Sequence, residues 1–406
     1  MKRSRSFQQT MGQNTAQGAA EITLIEALNQ LFIGVGFADL TVADIARALR
    51  CSKRTLYQLA KSKTQLVTTV VEYNFNKRLR ESKSVVFQHS EPAVRLDAYF
   101  TLVRNRYDQR SGSFFADVIA DSDLNQIRLR YLRQQLEVLE MIIEDGMKSG
   151  VFRAQKPQLS TEFSFGMLTT ISQPDLIAAL HTEYTELFDQ GVDILRHGIW
   201  AEREASTNST STGSIARSAP AGDAMIDRIE QLFESEGFAH FTMLDLTRRF
   251  NCSKRALYAV ASSKEELLKQ VVHRNYERHY STTKSAVYKE TTPDSRLAAY
   301  FAVIHDRNQR RNHQFLADVI NLPGPNQIRL LHVQQMLSLL ENILSDGISQ
   351  GVFRKVDPAL TSAIAFGLLN GVESAYASQN AGLDYAAVFD EAVDLFQYGV
   401  LAPAQA

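Results

Sequence analysis

The chain has only two cysteines, Cys51 and Cys252, in 406 residues. That is too few for a disulfide framework or for a four-ligand zinc site built on cysteine, and it suits a reducing compartment. No apolar run approaches the ~20 residues that span a bilayer. The first residues, Met1-Lys2-Arg3-Ser4-Arg5, are basic but lead into Gln8-Gln9-Thr10 rather than into the apolar core of a signal peptide. The expectation is a cytoplasmic protein with no membrane partner. An excess of one charge is missing as well: 44 Lys+Arg stand against 45 Asp+Glu, so any nucleic-acid contact has to come from a local basic face. The histidines are scattered without His-x-x-x-His spacing, and neither a metal site nor a cofactor is expected. No nucleophile, carboxylate pair or glycine-rich phosphate loop stands in a context that supports catalysis. The chain reads as a binding protein, not an enzyme.

What is present is a repeat. Cys51-Ser52-Lys53-Arg54 recurs as Cys252-Ser253-Lys254-Arg255, an offset of 201 residues. The same offset carries Gly36-Phe37 to Gly237-Phe238, Asn125-Gln126-Ile127-Arg128 to Asn326-Gln327-Ile328-Arg329, and Gly150-Val151-Phe152-Arg153 to Gly351-Val352-Phe353-Arg354. Over residues 22–66 against 223–267 there are 20 identities in 45 pairs with no gap. Chance does not hold that register, so one unit is written twice. Between the copies, Ser206-Thr207-Asn208-Ser209-Thr210-Ser211-Thr212-Gly213 has no periodicity and reads as a flexible linker. A coil of about 20 residues spans roughly 25 Å on average, enough for two tethered units to pack side by side.

Apolar residues recur at helical spacing: Ile25, Leu28, Leu31 and Phe32 in the first copy, Ile229, Leu232 and Phe233 in the second, and Leu132, Leu136, Leu139 and Ile143 farther on. No stretch alternates as a strand does. The chain is therefore expected to be all-α, a tandem duplication of an N-terminal helix-turn-helix head followed by a helical bundle for ligand binding and dimerisation. The expected divisions are a basic, polar tail at 1–20, heads at 21–66 and 222–267, bundles at 67–200 and 268–402, and the linker at 201–221.

The heads carry the chemistry. Thr41 with Asp44 three residues on forms a helix start, and Ile45, Ala46 and Leu49 give that helix an apolar face. After a break at Arg50-Cys51, Ser52 caps a short helix from Lys53 to Leu59 that buries Leu56 and turns Lys53, Arg54, Thr55 and Gln58 outward. Ser62 caps the next helix, with Lys63 in its first turn. The second copy repeats Thr242/Asp245, Ser253, Lys254-Arg255, Leu257, Tyr258 and Ser263-Lys264. Helix, tight turn, basic helix is an arrangement that enters the major groove, where arginine pairs with guanine O6 and N7 while hydroxyls and lysines hold phosphates. Arg54 and Arg255 are the expected base readers, helped by Lys53, Thr55, Gln58 and Lys254. Thr41, Ser52, Tyr57, Lys63, Thr242, Ser253, Tyr258 and Lys264 are the expected backbone contacts, and the partner is a double-stranded DNA operator.

These residues resemble a family. Thr-x-x-Asp-Ile-Ala running into Cys-Ser-Lys-Arg-Thr-Leu-Tyr and then Ser-Lys-x-x-Leu is similar to the N-terminal domain of TetR-type bacterial transcriptional regulators. Asp145 to Phe152 with Pro157, and Asp346 to Pro358, resemble the start of that family's second domain. The resemblance implies a repressor released by a small ligand held in the bundle, acting in pairs of units. In one chain that pairing implies an intramolecular pseudo-dimer on an imperfect palindrome, the alternative being a homodimer of tandem chains. Two departures stand in the motif: the family's turn glycine is replaced by Arg50 and Asn251, and an aromatic by Ala60 and Ala261. Asparagine tolerates a left-handed turn, arginine less readily.

Other features have two readings. The cysteines, at equivalent turn positions, could form a redox switch, but a small apolar filler beneath a recognition helix is the plainer account. Tyr99, Phe100, Phe115, Tyr300, Phe301 and Phe315 either line a pocket for an effector of unknown class or are ordinary core. The chain as a whole could be a helical scaffold or ligand-binding protein whose heads no longer touch DNA. The retained Lys-Arg, Tyr and Lys of both heads oppose that. The heads also differ in charge: residues 21–80 hold nine Lys/Arg and five Asp/Glu, a net of +4, whereas residues 222–281 hold nine of each.

Overall fold

The computed structural model describes residues 20–108, 112–153, 156–171, 182–197, 224–310, 313–378 and 385–398. The linker at 201–221 and residues 1–19 of the tail lie outside these. The described residues are helical with short connections. In the first copy they form α1 (20–35), α2 (Val42–Ala48), α3 (Lys53–Leu59), α4 (Lys63–Val86), α5 (Pro92–Asp108), α6 (Gly112–Ala120), α7 (Ser122–Lys148), α8 (Pro157–Ile171) and α9 (Tyr184–His197). In the second they form α10 (Ala224–Glu236), α11 (Met243–Arg249), α12 (Lys254–Val260), α13 (Lys264–Lys289), α14 (Pro293–Arg310), α15 (His313–Ile320), α16 (Pro323–Ser349), α17 (Pro358–Ser378) and α18 (Tyr385–Tyr398). The short head helices, α7 and α9 recur in the second copy at the 201-residue offset without change of length. An all-α tandem duplication is what the periodicity predicted.

Local chemistry sets the helix boundaries. Asp121 starts α7 by accepting from the amides of Asp123 and Leu124 at 3.0 and 3.1 Å. Its counterpart Leu322 has no side chain that can cap, and α16 opens on Pro323 instead, whose missing N–H needs no acceptor.

The chain forms two compact units, residues 1–157 and 158–406. In the first unit, Leu28, Phe32, Ile45, Leu56 and Phe75 of the head close on Phe114 and Val118 of α6. Helices α4, α5 and α7 pack against one another behind them. The second unit holds the same arrangement, with Phe233, Leu246 and Leu257 on Phe315 and Val319, and α13, α14 and α16 packed together.

The second unit also takes in α8 and α9, the last helices of the first copy. Helix α9 packs on α17 and α18. Gln190 Nε2 donates to the Asp357 carbonyl at 2.9 Å and to Thr361 Oγ1 at 2.8 Å, and Arg354 pairs with Asp193 at 2.8 Å. Helix α17 runs so close to α8 that a Cβ on Gly367 would lie 2.8 Å from the Cα of Met167. Only a residue without a side chain fits at that crossing. No helix among the described residues is long and apolar enough to cross a membrane.

Candidate nucleic-acid interface

Each head is built from three capped helices. Thr41 Oγ1 accepts the Asp44 amide at 3.2 Å while Asp44 Oδ2 accepts the Thr41 amide at 3.1 Å, a reciprocal box that satisfies two free donors at the start of α2. Thr242 and Asp245 repeat it at 3.2 and 2.9 Å. The threonine hydroxyl first, and then its amide, hold the Asp44 and Asp245 carboxyls below their ordinary range. Ser52 Oγ accepts the Thr55 amide at 3.1 Å, and Ser253 Oγ the Ala256 amide at 3.1 Å, so α3 and α12 begin at the same residue of each copy.

The turn between the two short helices shows how the missing glycine is managed. Arg50 sits at φ 51° and Asn251 at φ 46°, the left-handed conformation that ends a helix. The amide of the next residue, Cys51 or Cys252, donates back to the Ala46 or Thr247 carbonyl at 3.0 Å in each head. Asparagine accepts this backbone readily; for arginine it carries strain of about 1–2 kcal/mol. Both cysteines are free and pack, half-buried, on the apolar clusters of their heads.

With Leu56 and Leu257 turned inward, the outer faces of α3 and α12 are left to solvent. Lys53, Arg54, Gln58, Lys254 and Arg255 are exposed. Tyr57 and Tyr258 are each 49% exposed, an unusual position for a large ring unless a partner covers it. The Thr55 hydroxyl is tied to Ser52 Oγ at 2.8 Å. Lys63 Nζ donates to the Ala38 carbonyl at 2.7 Å and Lys264 Nζ to that of Ala239 at 2.9 Å. These lysines therefore brace the loop before the first short helix. Partial burial lowers the pKa of Lys264, against the pull of Asp318.

That loop is held from the bundle side by residues that the motif reading missed. Asp117 Oδ2 accepts the amides of Phe37 and Ala38 at 2.6 and 2.9 Å. Asp318 Oδ2 accepts those of Phe238 and Ala239 at 2.6 and 2.8 Å. Gly36 and Gly237, at φ 79° and 77°, let the backbone come this near; a Cβ on Gly36 would meet Asp117 Oδ2 at 2.7 Å. The signal was in the sequence as a repeated Ala-Asp-Val-Ile, a lone carboxylate in an apolar helix.

Each head matches the family model for bacterial regulatory proteins, tetR family, over residues 24–70 and again over residues 225–271. The chain belongs to the tetR family, in two tandem copies. A tetR-type head is a helix-turn-helix domain, and the chain is a DNA-binding transcription regulator. Among curated proteins none matches. Solved structures that resemble one copy include the TetR-family regulator PfmR of Thermus thermophilus, 23% identical, covering 44% of this chain and 98% of its own with a TM-score of 0.36. A transcriptional regulator of Saccharomonospora viridis in complex with choline is 13% identical, covering 44% and 96% at 0.40. The fatty acid degradation regulator FadR of Bacillus halodurans is 18% identical, covering 45% and 97% at 0.37.

The aromatic residues singled out as pocket candidates are distributed over several places. Tyr99 and Phe100 are buried edge to face, and the Tyr99 hydroxyl donates to the Gln135 carbonyl at 3.2 Å. Phe115 packs on the head cluster of the first copy. Phe301 packs on Phe389 and Phe396, and Phe315 is fully buried in the second head cluster. Tyr300 lines a cavity of about 140 Å³ in the second bundle.

Proposed function

We propose that the chain is a repressor that grips one operator with both of its heads and lets go when a small ligand enters the bundle. The observation that carries the reading is the exposed Lys-Arg and half-exposed tyrosine on the second short helix of each copy, held by the same serine cap. In this reading Arg54 and Arg255 meet base edges with Lys53, Gln58 and Lys254 beside them, while Tyr57, Tyr258 and the helix starts at Thr41, Ser52, Thr242 and Ser253 face phosphates. Lys63 and Lys264 keep two donors each for phosphate beyond the carbonyl they brace, and Thr55 acts through Ser52.

Pairing of the copies within one chain is supported by α8 and α9 packing into the second unit. Tethering puts the second copy at a millimolar effective concentration. The two heads differ by four net charges, so the first supplies most of the phosphate affinity and the second mainly register. An imperfect palindrome with half-sites about one helical turn apart is the natural operator.

Gel shift on genomic fragments with heparin competitor tests the DNA reading; failure to retain any fragment leaves a scaffold or ligand-binding protein. Light scattering tests the pairing. A mass near 45.6 kDa is expected, and twice that at micromolar concentration would replace the pseudo-dimer by a four-headed homodimer. Gly367→Leu, which forces α17 off α8, should expose the helix pair to amide exchange in the pseudo-dimer.

A further inference from the structure

We infer that the cavity of the second bundle takes a small carboxylate with an apolar tail, and that it does so once per chain because the first copy has filled the equivalent space. The inference rests on the ligand-released regulator proposed above and names the chemistry of its ligand.

The cavity has a polar end and an apolar end. Helix α16 runs along it, presenting Arg329, His332, Met336 and Leu340 at three- and four-residue steps on one face. From Arg329 to Leu340 such a helix rises about 16 Å, so the guanidinium and the imidazole lie at one end and the aliphatic side chains at the other. Across the polar end stands Arg307 of α14. It donates to Asn275 Oδ1 at 2.8 Å and faces His279 Nδ1 at 3.0 Å, which in turn lies 2.9 Å from His332 Nε2. A guanidinium can only donate, so His279 Nδ1 accepts and His332 Nε2–H is the second donor to it. The positive charge of this end therefore comes from Arg307 and Arg329.

Tyr276 completes it. Its ring stacks on His332 at 4.6 Å and lies under Arg307 at 4.7 Å. The residue is 3% exposed, and its hydroxyl has no hydrogen-bond partner. A buried donor left unmade costs about 1–3 kcal/mol. A carboxylate at this end gives the hydroxyl an acceptor and the guanidiniums a counter-charge. A cavity of about 140 Å³ compares with the ~150 Å³ cavity that admits benzene, so the ligand has about ten non-hydrogen atoms or fewer.

The first copy closes the same space with larger groups. Phe115 stands for Leu316 and Tyr131 for His332. Phe75 stacks on Tyr131 at 4.7 Å, and Arg78 covers the Phe115 ring at 5.7 Å. Arg106, the counterpart of Arg307, is turned onto Ser82 Oγ at 2.8 Å and the Arg78 carbonyl at 2.5 Å. The guanidinium that faces a cavity in one copy is used as internal structure in the other.

The test is calorimetry on the full chain with benzoate and the straight-chain carboxylates from butanoate to octanoate, with hexanol and inorganic phosphate as counter-probes. Expected is one site per chain, hexanol at least tenfold weaker than hexanoate, phosphate inert, and at least a tenfold loss with Arg307→Gln or with Leu316→Phe and His332→Tyr together. Two sites per chain, equal binding of hexanol, preference for phosphate, or no binding of any carboxylate in the series overturns the inference; these four readouts use the unaltered chain and do not depend on a variant folding. Retention of genomic DNA is measured on the same preparation. Carboxylate binding without DNA binding removes the regulator reading and leaves the site, whereas DNA binding without carboxylate binding removes the site alone.

Discussion

Replacing Asp318 by alanine should detach the second head from its bundle. The carboxylate is 4% exposed, and one oxygen accepts the amides of Phe238 and Ala239 at 2.6 and 2.8 Å while the other accepts Gln314 Nε2 at 2.6 Å. The Phe238 bond is buried, so in Asp318→Ala that N–H loses an ionised acceptor and finds no water. Such a group costs about 1–3 kcal/mol. The Ala239 amide is nearer solvent and adds less, giving about 2–4 kcal/mol in all. Asp318→Asn keeps an oxygen for the two amides, and Gln314 can rotate to offer its own oxygen to the new NH2, so only the charge assistance is lost, about 1 kcal/mol. Urea unfolding followed by circular dichroism, fitted for the second unit, measures both. DNA retention should fall with stability, because the latched loop leads directly into α11. Alanine within about 0.5 kcal/mol of the native chain, or asparagine as damaging as alanine, would show that Asp318 does not hold the loop.

Three further outcomes follow from the heads. Arg50→Asn should stabilise the first head by about 0.5–1 kcal/mol and Asn251→Arg destabilise the second by a similar amount, since only the left-handed preference changes; equal urea midpoints would refute the strain. Arg54→Ala should weaken specific binding by roughly 1–3 kcal/mol and relax one base position, while Lys63→Ala weakens all sequences alike and lowers the salt slope by about one; binding curves on operator and scrambled DNA at several salt concentrations separate them, and equal loss on both DNAs takes Arg54 out of base reading. The depressed carboxyls of Asp44 and Asp245 contribute stability that is fully present above their ordinary value of 3.8 and is lost as pH falls through the lower folded value. Amide exchange of α2 and α11 should therefore accelerate between pH 5 and about pH 3, and Thr41→Ala or Thr242→Ala should remove that acid sensitivity in its own head.

The sequence by itself determined what depends on neighbours along the chain. Thr41 with Asp44, Ser52 before Lys53-Arg54 and Ser62 before Lys63 are caps whose donors lie three residues away, and a fixed offset of 201 residues made every one of them legible twice. Periodicity likewise gave the helices and the inward face of Leu56 and Leu257, because a helix has one repeat. Tertiary structure alone decided what long-range packing sets. The Asp117 and Asp318 latches join groups about 80 residues apart, and a single carboxylate in an apolar helix carries no partner in its own neighbourhood. Tyr99, Tyr300 and Phe315 look alike as aromatic positions, yet one is core, one faces a cavity and one seals a head, since the difference lies in the volume of the side chains across from them. That Arg106 and Arg307 occupy the same position and have opposite surroundings follows from the same cause: replacing a leucine by phenylalanine and a histidine by tyrosine fills a space that no periodicity records.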